Sequence, residues 1–228
     1  MKIAILEAGA PPAPLDARFG SYPDMFQALL GDDYFGPVYD ARSDHFPAHP
    51  EDHEAYLITG SAAGVYDALP WIPKLKQFLA AAKGKARLVG VCFGHQLMAE
   101  AFGGRVTKSE RGWGVGLHEY KIFERASWMD DVEQVRVPVS HQDQVVEQPP
   151  ATRLIAGSTF CPFGVLAYED QPAISFQFHP EFEPHYAAAL IDLRRDQLND
   201  PEAAIASLRQ GNDSQRIAQW ISAFVDAT

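Results

Sequence analysis

The segment 90–96 (GVCFGHQ) carries the residue of this chain best suited to nucleophilic chemistry. Cys92 lies between two glycines, directly after an apolar run at 87–91 and before a predicted helix. A side chain at a sharp strand-to-helix turn is lifted above the sheet, and neighbouring glycines relieve the crowding there. The free N–H groups of the helix also stabilise a thiolate. A structural cysteine in the core would fit the same motif. A second sequence feature is therefore needed to decide between a nucleophile and a structural cysteine.

That second feature is a histidine and a glutamate near residue 180. The alternate apolar residues before His179 occupy one face of a predicted strand, which leaves His179 on the other face. Pro180 keeps His179 in an extended conformation, so Glu181 can project to the same side. Glu181 then accepts a hydrogen bond from one imidazole nitrogen while the other nitrogen faces a thiol. We therefore predict Cys92 as the nucleophile, His179 as the base and Glu181 as the group that orients the base.

The remaining histidines and the second cysteine predict no further site. His45, His49 and His53 are spaced by four, but two prolines between them interrupt any shared helix face. We expect an acidic, solvated loop there and no metal ligands. His95 is adjacent to the nucleophile in sequence but points away from it on a helix. Cys161 lacks a glycine elbow and is expected to be a structural thiol.

Composition and charge exclude several classes of partner. Nineteen Lys and Arg stand against 30 Asp and Glu, giving a formal net charge of −11. This balance argues against nucleic acid and against an anionic membrane surface. No apolar run is long enough to span a bilayer, and Glu7 interrupts the N-terminal one too early for a secretion signal. We predict a cytoplasmic protein with both cysteines reduced.

Short apolar runs and helical patterns alternate along the chain and must position these residues. Strands are predicted at 3–6, 54–59 and 87–91, and helices at 22–30, 71–82 and 94–102. Further strands are predicted at 105–123, 135–140, 153–157 and 165–177, and helices from residue 184 onward. The pattern predicts an α/β fold with an open, mostly parallel but mixed sheet flanked by helices. We expect one domain spanning 1–228, made of an α/β core at 1–183 and a helical C-terminal extension at 184–228.

The cysteine elbow followed by His179 and Glu181 resembles the class I, or triad-type, glutamine amidotransferases. The resemblance covers residues 1–183 and weakens in the helical tail. It implies a flavodoxin-like sheet and a catalytic triad of Cys92, His179 and Glu181.

Three further segments resemble substrate-holding parts of that family. Residues 57–67 (LITGSAAGVYD) resemble its oxyanion loop, which implies that the N–H groups of Gly60 and Phe93 hold the oxyanion. Ser140 and His141 lie in a segment that resembles the one whose main chain holds glutamine. Gln96 matches the elbow glutamine that lines the same pocket.

The implied reaction is the hydrolysis of the side-chain amide of L-glutamine through a γ-glutamyl thioester on Cys92. His179 delivers a proton to the departing ammonia, and no metal or organic cofactor is required. We expect no attached synthetase domain, because the chain resembles stand-alone proteins similar to the amidotransferase domain of GMP synthetase. Ammonia would then pass to a separate synthetase subunit or acceptor. Two alternatives are a γ-glutamyl peptidase that acts on γ-glutamyl conjugates and a non-catalytic regulatory subunit that retains the fold.

Overall fold

The centre of the fold is a nine-stranded sheet, seen in a computed structural model that describes residues 1–227. The strands of this sheet and of a small two-stranded one are, in chain order, β1 (Ile3–Glu7), β2 (Phe35–Asp40), β3 (Ala55–Ile58), β4 (Arg87–Val91), β5 (Arg105–Lys108), β6 (Gly114–Ile122), β7 (Gln134–His141), β8 (Asp143–Glu147), β9 (Thr152–Gly157), β10 (Val165–Tyr168) and β11 (Ala173–Phe176). The helices are α1 (Leu15–Phe19), α2 (Tyr22–Leu30), α3 (Trp71–Ala82), α4 (Phe93–Ala101), α5 (Pro184–Leu193), α6 (Pro201–Ser207) and α7 (Ser214–Asp226).

The strand order divides the large sheet into a parallel half and an antiparallel half. The order is β2-β1-β3-β4-β11-β10-β9-β6-β7, and β5 pairs with β8 in the small sheet. The pairs from β2 to β11 are parallel, whereas those from β11 to β7 are antiparallel. β11 therefore lies at the junction, beside β4.

Apolar side chains of the parallel strands alternate between the two faces of the sheet. Ile3 and Ile5 of β1 pack in a cluster with residues of α2 and α7. Ala4 and Leu6 of the same strand pack with residues of α3 and α4. Burial on both faces explains why such strands are continuous apolar runs in the sequence. The predicted α/β sheet flanked by helices is thus confirmed.

The helices after residue 184 pack in two places. α7 buries Ile217, Trp220 and Phe224 against the main core. α5 and α6 pack with α1 and α2 in a separate apolar cluster, to which Leu190 contributes. Within residues 1–227, no helix has the length and apolar character needed to cross a membrane.

Four strands differ from the sequence-based expectation. The predicted strand at 165–177 divides into β10 and β11, which pair antiparallel across a turn at 169–172. The predicted strand at 105–123 divides into β5 and β6, which belong to different sheets. The loop between them contains Gly112 at a φ of 75°, a left-handed conformation that glycine adopts without strain. β2 was not predicted because Gly36 and Pro37 lie within it, and both are rare inside strands. β8 was missed because a single residue, Gln142, separates it from β7.

Candidate active site

Cys92 occupies a strained turn between β4 and α4. Its φ is 51° and its ψ is −101°, a backbone conformation that residues with a side chain rarely adopt. Its N–H donates to the carbonyl oxygen of Phe176 at 2.8 Å, which fixes the turn against β11. Such strain persists only where the surroundings impose it, and it is typical of nucleophile elbows. The residue is 5% exposed.

The two glycines beside Cys92 allow close packing of helix α4 on the sheet. A Cβ atom at Gly90 would lie 2.6 Å from Met98 Sδ and 2.7 Å from the Gly94 carbonyl oxygen. A Cβ atom at Gly94 would lie 2.4 Å from the carbonyl oxygen of Ile58 on β3. Any larger residue would therefore push α4 away from the sheet and move the elbow.

We expect Gly94→Ala to lower the free energy of unfolding by about 1–3 kcal/mol, the usual cost of overpacking. The helix preference for alanine, worth about 1 kcal/mol, offsets only part of that cost. Urea unfolding monitored by circular dichroism measures the change. Gly211→Ala is the matched control, since a Cβ atom there meets no atom within 4 Å. Equal unfolding midpoints for the two variants would contradict this packing argument.

His179 reaches Cys92 because the strands before them are parallel neighbours. Val91 of β4 lies opposite Phe176 of β11, so both chains leave the sheet at the same edge. The backbone N–H of His179 donates to the carbonyl oxygen of Pro138 at 2.9 Å, which anchors the segment beyond β11. Residues far apart in the sequence are thereby brought together, as carboxyl ends of parallel strands are in open α/β sheets.

Glu181 lies beside the imidazole, as predicted, but a turn brings it there and not the extended backbone that was expected. The Phe182 N–H closes this turn by donating to the His179 carbonyl oxygen at 3.3 Å. The Oε1 atom of Glu181 is 2.7 Å from His179 Nδ1. The His179 side chain is 4% exposed and the Glu181 side chain is fully buried. Phe182 stacks on the imidazole, with ring centroids 3.9 Å apart and an interplanar angle of 6°. The ring of His179 is thus held at one edge by a carboxylate and on one face by an aromatic ring.

The charge of His179 depends on its two neighbours. Burial opposes the protonated form, but attraction to Cys92 and Glu181, together with the hydrogen bond to Glu181, outweighs it and raises the pKa of His179 to about 10. An imidazolium beside a thiol favours the thiolate, which is the nucleophilic form of cysteine. The arrangement therefore suits thiol acyl transfer.

Gly60 lies directly against the cysteine and the histidine. A Cβ atom at this position would be 2.9 Å from His179 Cε1 and 3.7 Å from Cys92 Cβ. Thr59 fixes the loop, since its Oγ1 accepts a hydrogen bond from the Ala8 N–H at 2.9 Å. The predicted oxyanion partner Phe93 is buried at the first position of α4. Only a glycine fits this place without displacing the imidazole.

A cleft of about 410 Å³ opens beside Cys92 and His179. Gln96, Ser140 and His141 all line it. Gln96 Nε2 donates to the carbonyl oxygen of Asp143 at 2.8 Å and thereby ties α4 to the start of β8. Burial lowers the pKa of His141 to about 3, so this ring is neutral. Five of the eight predicted site residues line this cleft, whereas Gly60, Phe93 and Glu181 do not line it but adjoin Cys92 or His179.

Comparison with known proteins decides the family. The model of the family "Glutamine amidotransferase class-I" matches residues 49–191, which is more than half of the chain. The chain belongs to the class I glutamine amidotransferase family. The matched region contains Gly60, Cys92, His179 and Glu181.

The relatives of this class I amidotransferase include a γ-glutamyl peptidase and a GMP synthase subunit. "Gamma-glutamyl peptidase 2" of Arabidopsis thaliana is 28% identical over 76% of this chain and 73% of its own length. One subunit of the glutamine-hydrolysing GMP synthase of Pyrococcus abyssi is 38% identical over 41% of this chain and 50% of its own length. A crystal structure titled as a glutamine amidotransferase from Thermotoga maritima covers 99% of both chains with a TM-score of 0.78 and 16% identity, which shows a common fold.

Several cleft residues of this amidotransferase were not anticipated from its sequence. They are Tyr22, Tyr66, Trp113, Phe182 and Arg194. The Tyr66 hydroxyl donates to Asp143 Oδ2 at 2.8 Å and so connects the predicted oxyanion loop to β8. Phe182, which follows Glu181 directly, and Tyr66, which lies within the predicted oxyanion loop, had local signals that could have been used. The others reach the cleft through the packing of loops and helices.

The residues expected to lie outside the site do so. His95 is fully buried in α4, and its Nδ1 lies 2.8 Å from Ser175 Oγ. Burial lowers the pKa of His95 to about 3. Cys161 is also buried, and burial raises the pKa of its thiol to about 12, which leaves it unreactive at neutral pH.

Proposed function

We propose that this class I amidotransferase hydrolyses the side-chain amide of L-glutamine through a γ-glutamyl thioester on Cys92. The observation that carries the proposal is the arrangement of three groups at one sheet edge. Cys92 lies at a strained elbow, His179 lies beside it, and Glu181 Oε1 lies 2.7 Å from His179 Nδ1. Nucleophile, acid–base group and orienting carboxylate are the parts that acyl transfer requires.

In the proposed reaction, the thiolate of Cys92 attacks the amide carbon of glutamine and forms a tetrahedral intermediate. The N–H groups of Gly60 and Phe93 would hold its oxyanion, and each such donor typically contributes a factor of about 10²–10³. The carbon–nitrogen bond then breaks, and His179 gives its proton to the departing ammonia. A water molecule, deprotonated by His179, attacks the thioester and releases glutamate and the free thiol.

Gln96 and the main chain of Ser140 and His141 would bind the amino acid part of the substrate in the adjoining cleft. Ammonia would pass to a separate synthetase subunit or acceptor, by analogy with the GMP synthase subunit of Pyrococcus abyssi among the relatives.

A γ-glutamyl peptidase is the second candidate, because it would use the same thioester and differ only in the leaving group. The peptidase of Arabidopsis thaliana aligns with 76% of this chain, whereas the alignment with the GMP synthase relative covers 41%. The longer alignment supports weighing γ-glutamyl peptides beside glutamine as substrates.

The proposal is tested by incubating the purified protein with glutamine and, separately, with γ-glutamyl dipeptides. We expect release of ammonia and glutamate from glutamine, and loss of that release in Cys92→Ala. Cys161→Ala is the matched control and should retain the activity, since this thiol lies outside the cleft. Cleavage of peptides with negligible ammonia release would favour the second candidate. Inactivity on all substrates, with and without added synthetase subunits, would favour the non-catalytic regulatory alternative.

A further inference from the structure

Arg194 brings a positive charge to the wall of the catalytic cleft. It is half-buried at the C-terminal end of α5 and lines the cleft. Its Nη1 donates to Ser140 Oγ at 3.1 Å, and its guanidinium carbon lies 4.7 Å from the centre of the Trp113 ring. Within residues 1–227, no carboxylate oxygen lies within 4.0 Å of this guanidinium. The next residue, Arg195, instead forms ion pairs with two carboxylates and does not line the cleft.

The environment of Arg194 suits a planar anion. A guanidinium has five N–H donors, and the hydroxyl of Ser140 occupies one of them. Stacking on Trp113 holds the group in one orientation, so little freedom is lost when an anion binds. Carboxylates match this fork with two parallel hydrogen bonds. In a protein of net charge −11, such a cation is also the local attraction that an anionic substrate needs.

Arg194 lines the cleft together with His179, Phe182 and Leu190. His179 must face the leaving nitrogen, because it donates the proton there. Phe182 stacks on His179 and packs in one cluster with Leu190 of α5. Arg194 follows Leu190 by four residues, which is about one helical turn, or roughly 6 Å. This wall of the cleft therefore begins at His179, continues with the apolar side chains of Phe182 and Leu190, and ends at the guanidinium of Arg194.

We propose that Arg194 binds the carboxylate of the leaving group in γ-glutamyl amino acids or peptides. The proposal rests on the thioester chemistry at Cys92 and names the substrate class for it. The γ-glutamyl amide bond breaks, the thioester forms, and the amine takes the proton of His179 while its carboxylate stays on Arg194. Ammonia, the leaving group of glutamine, has no carboxylate and makes no such contact. Arg194 therefore selects γ-glutamyl conjugates with a free carboxylate on the leaving side.

The test compares γ-glutamylglycine with γ-glutamylglycinamide, which differ only in the carboxylate of the leaving group. We expect wild-type kcat/KM to favour the free acid by about 10–100-fold, the range of charge-assisted hydrogen bonds. In Arg194→Met this ratio should fall to near one. Arg195→Met removes a neighbouring charge outside the cleft and should keep the wild-type ratio. A role of Arg194 in holding α5 alone would change both substrates equally and leave the ratio intact.

A wild-type ratio near one, or a ratio that Arg194→Met leaves unchanged, would overturn the proposal. Equal losses on glutamine and both dipeptides would assign Arg194 to the α-carboxylate of the glutamyl group and also overturn it. Calorimetry with the Cys92→Ala variant separates this proposal from the reaction at Cys92. Tighter binding of the free acid than of the amide, abolished by adding Arg194→Met, supports the subsite even if the wild-type protein turns over neither compound. Equal binding of acid and amide counts against it.

Discussion

Replacing His179 by asparagine is expected to reduce kcat by about 10³–10⁴-fold, a loss typical of removing a general acid–base group. The imidazole interacts with both Cys92 and Glu181, so its removal takes away the proton carrier and leaves the thiol without its base. The measurement is ammonia and glutamate release under saturating substrate, with unfolding curves for both proteins.

His95→Asn is the matched control for this loss. Both histidines are buried and both follow a strand of the parallel half, but His95 contacts Ser175 instead of the thiol. We expect the variant to lose stability while retaining kcat within a few fold below its unfolding temperature. Activity that survives His179→Asn, or falls equally in the two variants, would remove His179 from its proposed role.

A second large effect is expected on the pKa of His179 when Cys92 is replaced by serine. A serine hydroxyl stays neutral, so the attraction that most strongly raises this pKa disappears. Two opposite charges about 4 Å apart interact by about 4 kcal/mol at an effective dielectric constant of about 20. This corresponds to about three pH units. We therefore expect the His179 pKa to fall by about that amount from its wild-type value of about 10.

The same shift predicts how stability depends on pH. A histidine whose pKa is raised on folding stabilises the native state fully below its unfolded pKa of about 6.5, and this contribution is lost as the pH rises through about 10. In Cys92→Ser, this loss of stability at high pH should be smaller. Carbon-13 NMR titration of labelled histidine Cε1, assigned with His179→Asn, measures the pKa in both proteins. A variant pKa that remained at about 10 would show that Glu181, and not Cys92, holds the charge.

The sequence indicated the arrangement of Cys92, His179 and Glu181 because its local signals are strong. Gly90 and Gly94 flank Cys92 for a packing reason that any α/β elbow shares, and Pro180 favours the turn that places Glu181 beside His179. Strand–helix alternation predicted the sheet whose parallel neighbours, β4 and β11, bring the two segments together. The single domain at 1–228 and the cytoplasmic location stay predictions.

The cleft residues that the sequence did not reveal are positioned by contacts between segments that are far apart in the chain. Trp113 lies in a loop formed because 105–123 splits between two sheets, and no local pattern marks that split. Arg194 ends a helix whose docking beside Phe182 is determined by an apolar cluster of four helices. A charged residue at a helix end is common for electrostatic reasons alone, so its position in the cleft was visible only in the folded chain.

The central claim, that Cys92 carries a γ-glutamyl thioester, is tested most directly by mass spectrometry of protein quenched during turnover of glutamine. We predict an adduct of one γ-glutamyl group, confined to the peptide that contains Cys92, removed by hydroxylamine and absent from Cys92→Ala. Slower hydrolysis in Glu181→Gln should help the adduct accumulate. Turnover with the adduct absent, or with the adduct on Cys161, would contradict the account.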